Sequence, residues 1–366
     1  MSSRPIRAIV LAAGEGSRMR SSLPKPLHRL CGRPMVLHVL DALNTLCVDH
    51  VVVVVGFHGV EVIKAIESEA PDGLSLSFVE QHERRGTGDA VAVGLTGFER
   101  DSDLDEGELL VLPGDAPLVR PETLRRFVEA HRQQRSGVTL LSAVMGDPTG
   151  YGRIVRSRNG RVLKIVEHGD ATEAEREIHE VATSIYCFDP PILAPSLRRI
   201  SSDNVQGEYY LTDVVAVLGE AGYLVASMVV DDAREVAGVN DRSQLAIAQE
   251  TLRNRINSDW MRRGVTMLNP NQVYLDTTVE LGEEVTLFPN VVLEGKTVIE
   301  SGAVIGPDCH LVDTTVGACA VLRSVDALRA HVGANAEVGP FAVLAPGTAV
   351  ADGEVTGPYF AAVAPF

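Results

Sequence analysis

Short runs rich in Val, Ile and Leu punctuate the first two thirds of the chain, at residues 6–11, 51–55, 74–79, 109–112, 138–144 and 184–188. Each is followed by a glycine-bearing or polar stretch and then by a helix-like pattern. Apolar runs of this length bounded by turn formers predict buried strands, and their alternation with helices predicts a three-layer α/β sheet with ligand loops at the strand ends. Between residues 241 and 263 the pattern becomes one stripe, Leu245, Ala248, Leu252, Ile256 and Trp260, which predicts a long amphipathic helix.

Beyond Gly264 the period changes to six. Val279, Val285, Val291, Thr297, Ala303, Cys309, Thr315 and Val321 fall six apart, and Ala330, Ala336, Ala342 and Thr348 resume the series after a nine-residue step. Small or β-branched residues at this spacing predict the corners of a triangular hexapeptide-repeat β-helix, and the longer step predicts a three-residue insertion projecting as a loop. A β-sandwich would instead alternate, with turns every ~8–12 residues. The predicted organisation is a domain over 1–240, a linker helix over 241–264 and a short β-helix over 265–366.

A 366-residue chain with 45% hydrophobic content can bury two ordinary cores. Its formal charge of −16 is spread without a basic block, which argues against nucleic acid and anionic membrane as partners. Cys31, Cys47, Cys187, Cys309 and Cys319 show neither Cys-x-x-Cys nor Cys/His spacing, so they are expected to be buried small apolar residues rather than a disulfide framework or zinc site. No basic start with an apolar stretch opens the chain and no apolar run reaches ~18 residues, so a cytoplasmic location is expected.

The densest chemistry lies in Leu11-Ala12-Ala13-Gly14-Glu15-Gly16-Ser17-Arg18-Met19, followed by Leu23-Pro24-Lys25-Pro26-Leu27. Glycines after a strand let backbone amides face phosphate oxygens, and Arg18 and Lys25 bring two cations to neutralise charge on a leaving pyrophosphate. A bare Gly-x-Gly is usually an ordinary turn. Here Met19 and a lysine after proline exclude both the Walker loop and the dinucleotide fingerprint. The constellation resembles the sugar-1-phosphate nucleotidyltransferases, and most closely the bifunctional N-acetylglucosamine-1-phosphate uridylyltransferase/glucosamine-1-phosphate acetyltransferase family.

That resemblance implies a Rossmann-like three-layer nucleotidyltransferase domain followed by a left-handed parallel β-helix that trimerises side by side. It implies a reaction in which UTP and a sugar 1-phosphate, foremost N-acetylglucosamine 1-phosphate, give a UDP-sugar and pyrophosphate with Mg²⁺. Leu11, Ala12, Ala13, Gly14, Gly16, Gln81, Gly86, Thr87 and Gly114 would bind the nucleotide, with Gln81 and the Gly86-Thr87 pair at uracil. Asp115, in Leu112-Pro113-Gly114-Asp115, and Asn240, in Gly238-Val239-Asn240-Asp241, would hold the metal. Gly152 and Glu167 would hold the sugar. Plainer roles stand beside these: Gln81 as a solvated loop amide, Asp115 as a turn cap, and Asn240 as the cap of the linker helix.

The chain also departs from the family pattern. Glu180-Val181-Ala182-Thr183-Ser184 stands where the family reads Glu-x-Asn-Thr/Ala-Gly, so Ala182 replaces the asparagine that would meet the sugar, and Pro113 stands where a side chain often approaches it. Losing such an amide removes about 1 kcal/mol of specificity. Ala345, in Phe341-Ala342-Val343-Leu344-Ala345-Pro346-Gly347, stands where the family motif has arginine, and no acetyltransferase activity is expected. The alternatives are a nucleotidyltransferase for another sugar or cyclitol 1-phosphate, and a catalytically silent nucleotide-binding regulator or trimeric scaffold. Gln206-Gly207-Glu208-Tyr209-Tyr210-Leu211-Thr212-Asp213 also matches the family but reads locally as a helix start, and no catalytic role is assigned to it.

Overall fold

The computed structural model describes residues 4–56, 58–98 and 104–362. The final residues of the expected β-helix, up to Phe366, lie outside the described residues. The chain divides into two units. One comprises the residues up to His28 with Pro34–Leu245; the other comprises Arg29–Arg33 with the chain from Ala246 onward.

The first unit is built on a sheet of strands β1 (Ile6–Ala12), β2 (His50–Val55), β3 (Leu76–Glu80), β4 (Glu108–Pro113), β5 (Val138–Val144), β6 (Arg153–Arg156), β7 (Val162–Val166), β8 (Glu180–Phe188) and β9 (Val225–Val229). The main order is β9-β5-β8-β4-β1-β2-β3, with β6 and β7 attached beside β8. Pairing is parallel throughout that main order, except that β8 runs antiparallel between β4 and β5.

Successive residues of the central strands feed opposite cores, as the two-residue strand period requires. Ala8, Val10, Val51, Val53, Leu110 and Leu112 pack with helices α1 (Met35–Thr45), α2 (Gly59–Glu69) and α4 (Pro121–Gln134). Ile9, Val52, Val54, Leu109 and Val111 pack on the opposite face with α3 (Thr87–Leu95), α5 (Pro190–Leu197) and α6 (Asp213–Glu220). Because both faces are covered, the strands read as near-continuous apolar runs.

Strand β8 starts four residues before the apolar run at 184–188 that announced it. Its register explains why: Ala182 pairs with Ser142 and Tyr186 with Leu140, so four steps along β8 oppose two along β5. The resulting bulge breaks the period-two pattern. Thr183 is buried inside it and donates its hydroxyl to the Leu141 carbonyl, at 2.7 Å. Ser184 is left with φ 60°, in the left-handed region.

Helix α7 (Arg242–Arg262) belongs to the second unit from Ala246 onward, where it lays Ile256 and Trp260 on the β-helix core, while buried Asn257 donates to the carbonyls of Pro270 and Val273 at 2.8 and 3.0 Å. Three parallel sheets of five, six and five short strands follow, forming the left-handed β-helix. The hexad residues from Val279 to Cys309 are buried, but the inward positions then become Thr314, Ala320, Val325 and Ala330 rather than Thr315 and Val321.

The expected insertion is therefore replaced by shortened turns. His310 pairs with Asp326, 16 residues on, and Thr315 with His331, also 16 on, against 18 for Val291 with Cys309. The residue before an inward corner takes positive φ at regular and shortened turns alike, as at Asn290 and Asp308 and at Asp313, Ser324 and Arg329, so the same reversal is kept when a turn loses a residue.

Cys31, Cys187 and Cys309 are buried as expected, whereas Cys47 and Cys319 are exposed. The exposed pair sit in turns at positive φ, 57° and 58°, as does the buried Cys31 at 42°. No disulfide occurs among the described residues.

Replacing Thr183 by the isosteric valine leaves the buried Leu141 carbonyl without its bond, which should lower unfolding free energy by about 1–3 kcal/mol in urea titrations.

Candidate active site

The carboxyl ends of β1 and β4 lie side by side, with Leu11 opposite Pro113 and the Gly114 amide donating to the Leu11 carbonyl at 2.8 Å. A cleft of about 490 Å³ opens above them, in the place where open α/β sheets take ligands. Leu11, Ala12, Ala13, Gly14, Arg18 and Lys25 line it from the first loop. Gly14 has no atom near its would-be Cβ, so its backbone is bare toward the cleft. Gly16 and Gly114 do not line the cleft. Gly16, at φ 65°, is needed for packing: a Cβ there would stand 2.5 Å from Lys25 Cβ. Gly114 is buried in the joint between the two strands.

Lys25 is the hub of the cleft. Its Nζ meets Asp115 Oδ2 and donates to Asn240 Oδ1 at 2.7 Å. Asp241, not Asn240, caps helix α7, accepting from the Gln244 amide at 2.8 Å, while Gln244 Oε1 accepts in return from the Asn240 amide at 2.7 Å. This reciprocal cap frees the Asn240 side chain to face Asp115, so the plainer capping role is overturned. Two hard oxygens thus converge on one cationic group. They form a donor set that fits a magnesium ion completed by phosphate and water oxygens. No cluster of three or more His, Cys, Asp or Glu suited to a metal occurs among the described residues.

Gln81, Gly86 and Thr87 line the opposite wall. Gln81 is buried, and its Nε2 donates to Asp89 at 2.7 Å and to the Gly86 carbonyl at 3.3 Å, so it is fixed rather than solvated. Gly86, with φ 107°, presses on the 208–212 segment, where a Cβ would stand 2.5 Å from the Tyr209 carbonyl. Thr87 Oγ1 accepts from the Leu211 amide at 3.0 Å.

At the far end stand Pro113, Gly152, Glu167, Ala182, Thr183, Ser184, Glu208 and Thr212. Thr212 donates its hydroxyl to Glu167 Oε1 at 3.0 Å. Burial raises the Glu167 pKa above the ordinary glutamate value, outweighing that hydrogen bond. The Tyr151 phenol is tied to the backbone of Gly238.

Residues 8–181 match the MobA-like NTP transferase domain. The chain is 44% identical to the bifunctional protein GlmU of Streptomyces avermitilis over 346 residues, covering 94% of this chain and 70% of that protein. The corresponding protein of Micrococcus luteus is 44% identical over 361 residues, covering 96% and 72%. That of Listeria innocua is 43% identical over 341 residues, covering 93% and 72%. The chain belongs to the GlmU family. A crystal structure from Bacillus anthracis, assigned as a glucose-1-phosphate thymidylyltransferase in complex with sucrose, shares the fold at 20% identity and a TM-score of 0.53, over 67% of this chain and 94% of that one.

Against the GlmU background, the cleft gathers every predicted residue except Gly16 and Gly114, which support it from outside. It also adds residues without an assigned role: Tyr151, Ser184, Glu208 and Thr212. Glu208 and Thr212 belong to a motif that reads locally as a helix start, and the segment does lead into α6, with Thr212 as its N-cap and Asp213 as its first residue. Ser184 stands out in the sequence only as a departure from the motif's glycine, with no role assigned to it; the bulge turns it into the cleft. No helix among the described residues is long and apolar enough to cross a membrane.

The raised Glu167 pKa fixes a sign. A carboxyl whose folded pKa lies above its unfolded value favours the fold at pH below both values, and that contribution is lost as pH rises through the folded pKa. The stability gain of Glu167→Gln over wild type should therefore be larger at pH 7 than at pH 4, as read by thermal melts across that range.

Proposed function

We propose that the protein is a uridylyltransferase that converts UTP and N-acetylglucosamine 1-phosphate into UDP-N-acetylglucosamine and pyrophosphate. The observation that carries this reading is the convergence of Lys25, Asp115 and Asn240 between a backbone-lined phosphate loop and the Glu167 end of one cleft. The similarity to GlmU proteins supports the choice of nucleotide and sugar.

The chemistry follows from the charges. An anionic oxygen of the sugar phosphate attacks the α-phosphorus of UTP in line; the bond from that phosphorus to the bridging oxygen breaks, and pyrophosphate leaves with the electron pair. No protein nucleophile or base is needed. The amides around Gly14 hold phosphate oxygens, and Arg18 and Lys25 offset the charge that grows on the leaving group. Gln81, Gly86 and Thr87 take the base, and Gly152 and Glu167 take sugar hydroxyls. Asp115 and Asn240 would hold Mg²⁺, which when bound neutralises triphosphate charge.

A second reading changes only the acceptor. Pro113 and Ala182 make part of the sugar end apolar where the family pattern has an amide, which favours a hexose or cyclitol 1-phosphate. The β-helix is proposed as a homotrimerisation element; the stacked, exposed pair Phe341 and Tyr359, 5.4 Å between ring centres, supplies apolar surface for it.

The test is pyrophosphate release with Mg²⁺, each common nucleoside triphosphate and a panel of sugar 1-phosphates. Turnover with UTP and N-acetylglucosamine 1-phosphate is expected, and turnover confined to another sugar would move the assignment to the second reading. Silence across the panel would favour a regulator. Lys25→Ala should lose at least ~100-fold in kcat with its fold retained by circular dichroism. With Ala345 in place of the motif arginine, acetyl-CoA and glucosamine 1-phosphate should give no N-acetylated product by mass spectrometry.

A further inference from the structure

Ser184 stands out within the cleft. Its neighbours Val181, Ala182, Thr183, Ile185 and Tyr186 are buried, yet Ser184 is exposed and lines the sugar end. Its φ of 60° places a residue with a Cβ where glycine is at ease. Backbone outliers of this kind persist where the surroundings impose them, and they concentrate at ligand clamps. Here the bulge between β8 and β5, pinned by the Thr183 hydroxyl on the Leu141 carbonyl, does the imposing.

The other hydroxyls at this end are already engaged. Thr183 donates to Leu141 and Thr212 to Glu167, while the Tyr151 phenol oxygen accepts from the Gly238 backbone. Pro113 and Ala182 offer no side-chain donor. Ser184 Oγ makes no hydrogen bond to other described residues, so both its donor and its acceptor capacity are open to a ligand.

We propose that Ser184 is a specificity-determining residue that contacts the sugar, its hydroxyl supplying the hydrogen bond that the family's amide at position 182 would otherwise make. The proposal rests on the uridylyltransferase reading. The bulge displaces the contact by two residues along β8, and the preference for glycine at this backbone geometry is overridden by the contact the serine gains.

Two variants separate a ligand contact from a backbone effect. Ser184→Gly removes the hydroxyl and relaxes the backbone, so it should raise Tm by about 2–4 °C while raising KM for the preferred sugar 1-phosphate by about 3–10-fold. Ser184→Ala removes the hydroxyl and keeps the constrained Cβ, so it should raise that KM equally without the gain in Tm. KM for UTP should stay within twofold of wild type in both. A sugar KM unchanged in both variants, with wild-type turnover intact, would overturn the role of Ser184 alone. A wild-type protein that releases no pyrophosphate with any sugar 1-phosphate would overturn the uridylyltransferase reading and this proposal with it.

Discussion

The ammonium of Lys25 holds together three segments that are far apart in the chain, meeting Asp115 across 90 residues and Asn240 across 215. Its position depends on local choices. Gly16 clears the space beneath it, the Leu11 carbonyl holds Gly114, and the Asp241 cap turns Asn240 away from its own helix. Two oxygens gathered around a cation in a partly buried cleft are costly to hold without that cation, since their lone pairs would face one another in a medium less polarisable than water. Lysine balances this charge here, and in the proposed role the same two oxygens would take a divalent ion when triphosphate brings further ligands.

The sugar end is built on a different compromise. Glu167 is buried enough for its pKa to rise, and a single hydroxyl, that of Thr212, partly offsets the cost. In the proposed sugar-binding role, such a carboxylate cannot be fully satisfied by its own protein, so some stability is given up for an acceptor that stays available. The bulge in β8 follows the same logic: the ladder is interrupted, Thr183 repairs one carbonyl, and Ser184 is delivered to the cleft. The motif that the sequence resembles reads glycine there, whereas this chain carries a Cβ at positive φ.

In the β-helix the repeat tolerates variation because its corners are set by backbone dihedrals more than by side-chain identity. Asp313, Ser324 and Arg329 reverse the chain one residue early, and Thr314, Val325 and Ala330 still point inward. Threonines at such positions bond backbone carbonyls from inside the coil, as Thr297 does to Glu294 at 2.7 Å, so a polar residue in an apolar core is satisfied.

Much of this was legible in the chain of letters. Apolar runs at 6–11, 51–55 and 109–112 became the central strands because both of their faces are covered, and the glycine loop with Lys25 marked the cleft because few other arrangements need those residues at one turn. The six-residue period marked the β-helix because every coil repeats the same contact. Other features depended on partners distant in sequence. Whether Asn240 caps a helix or faces Asp115, whether Gly16 touches ligand or lysine, and where the hexads slip by one residue are decided by competition among groups that meet only after folding. Ser184 is the clearest instance: its letter says turn or surface, and only the mismatch of four steps against two between β8 and β5 sets its hydroxyl in the cleft. Local pattern reports burial and periodicity, whereas the direction of a single side chain is set by the register of its strand against a neighbour.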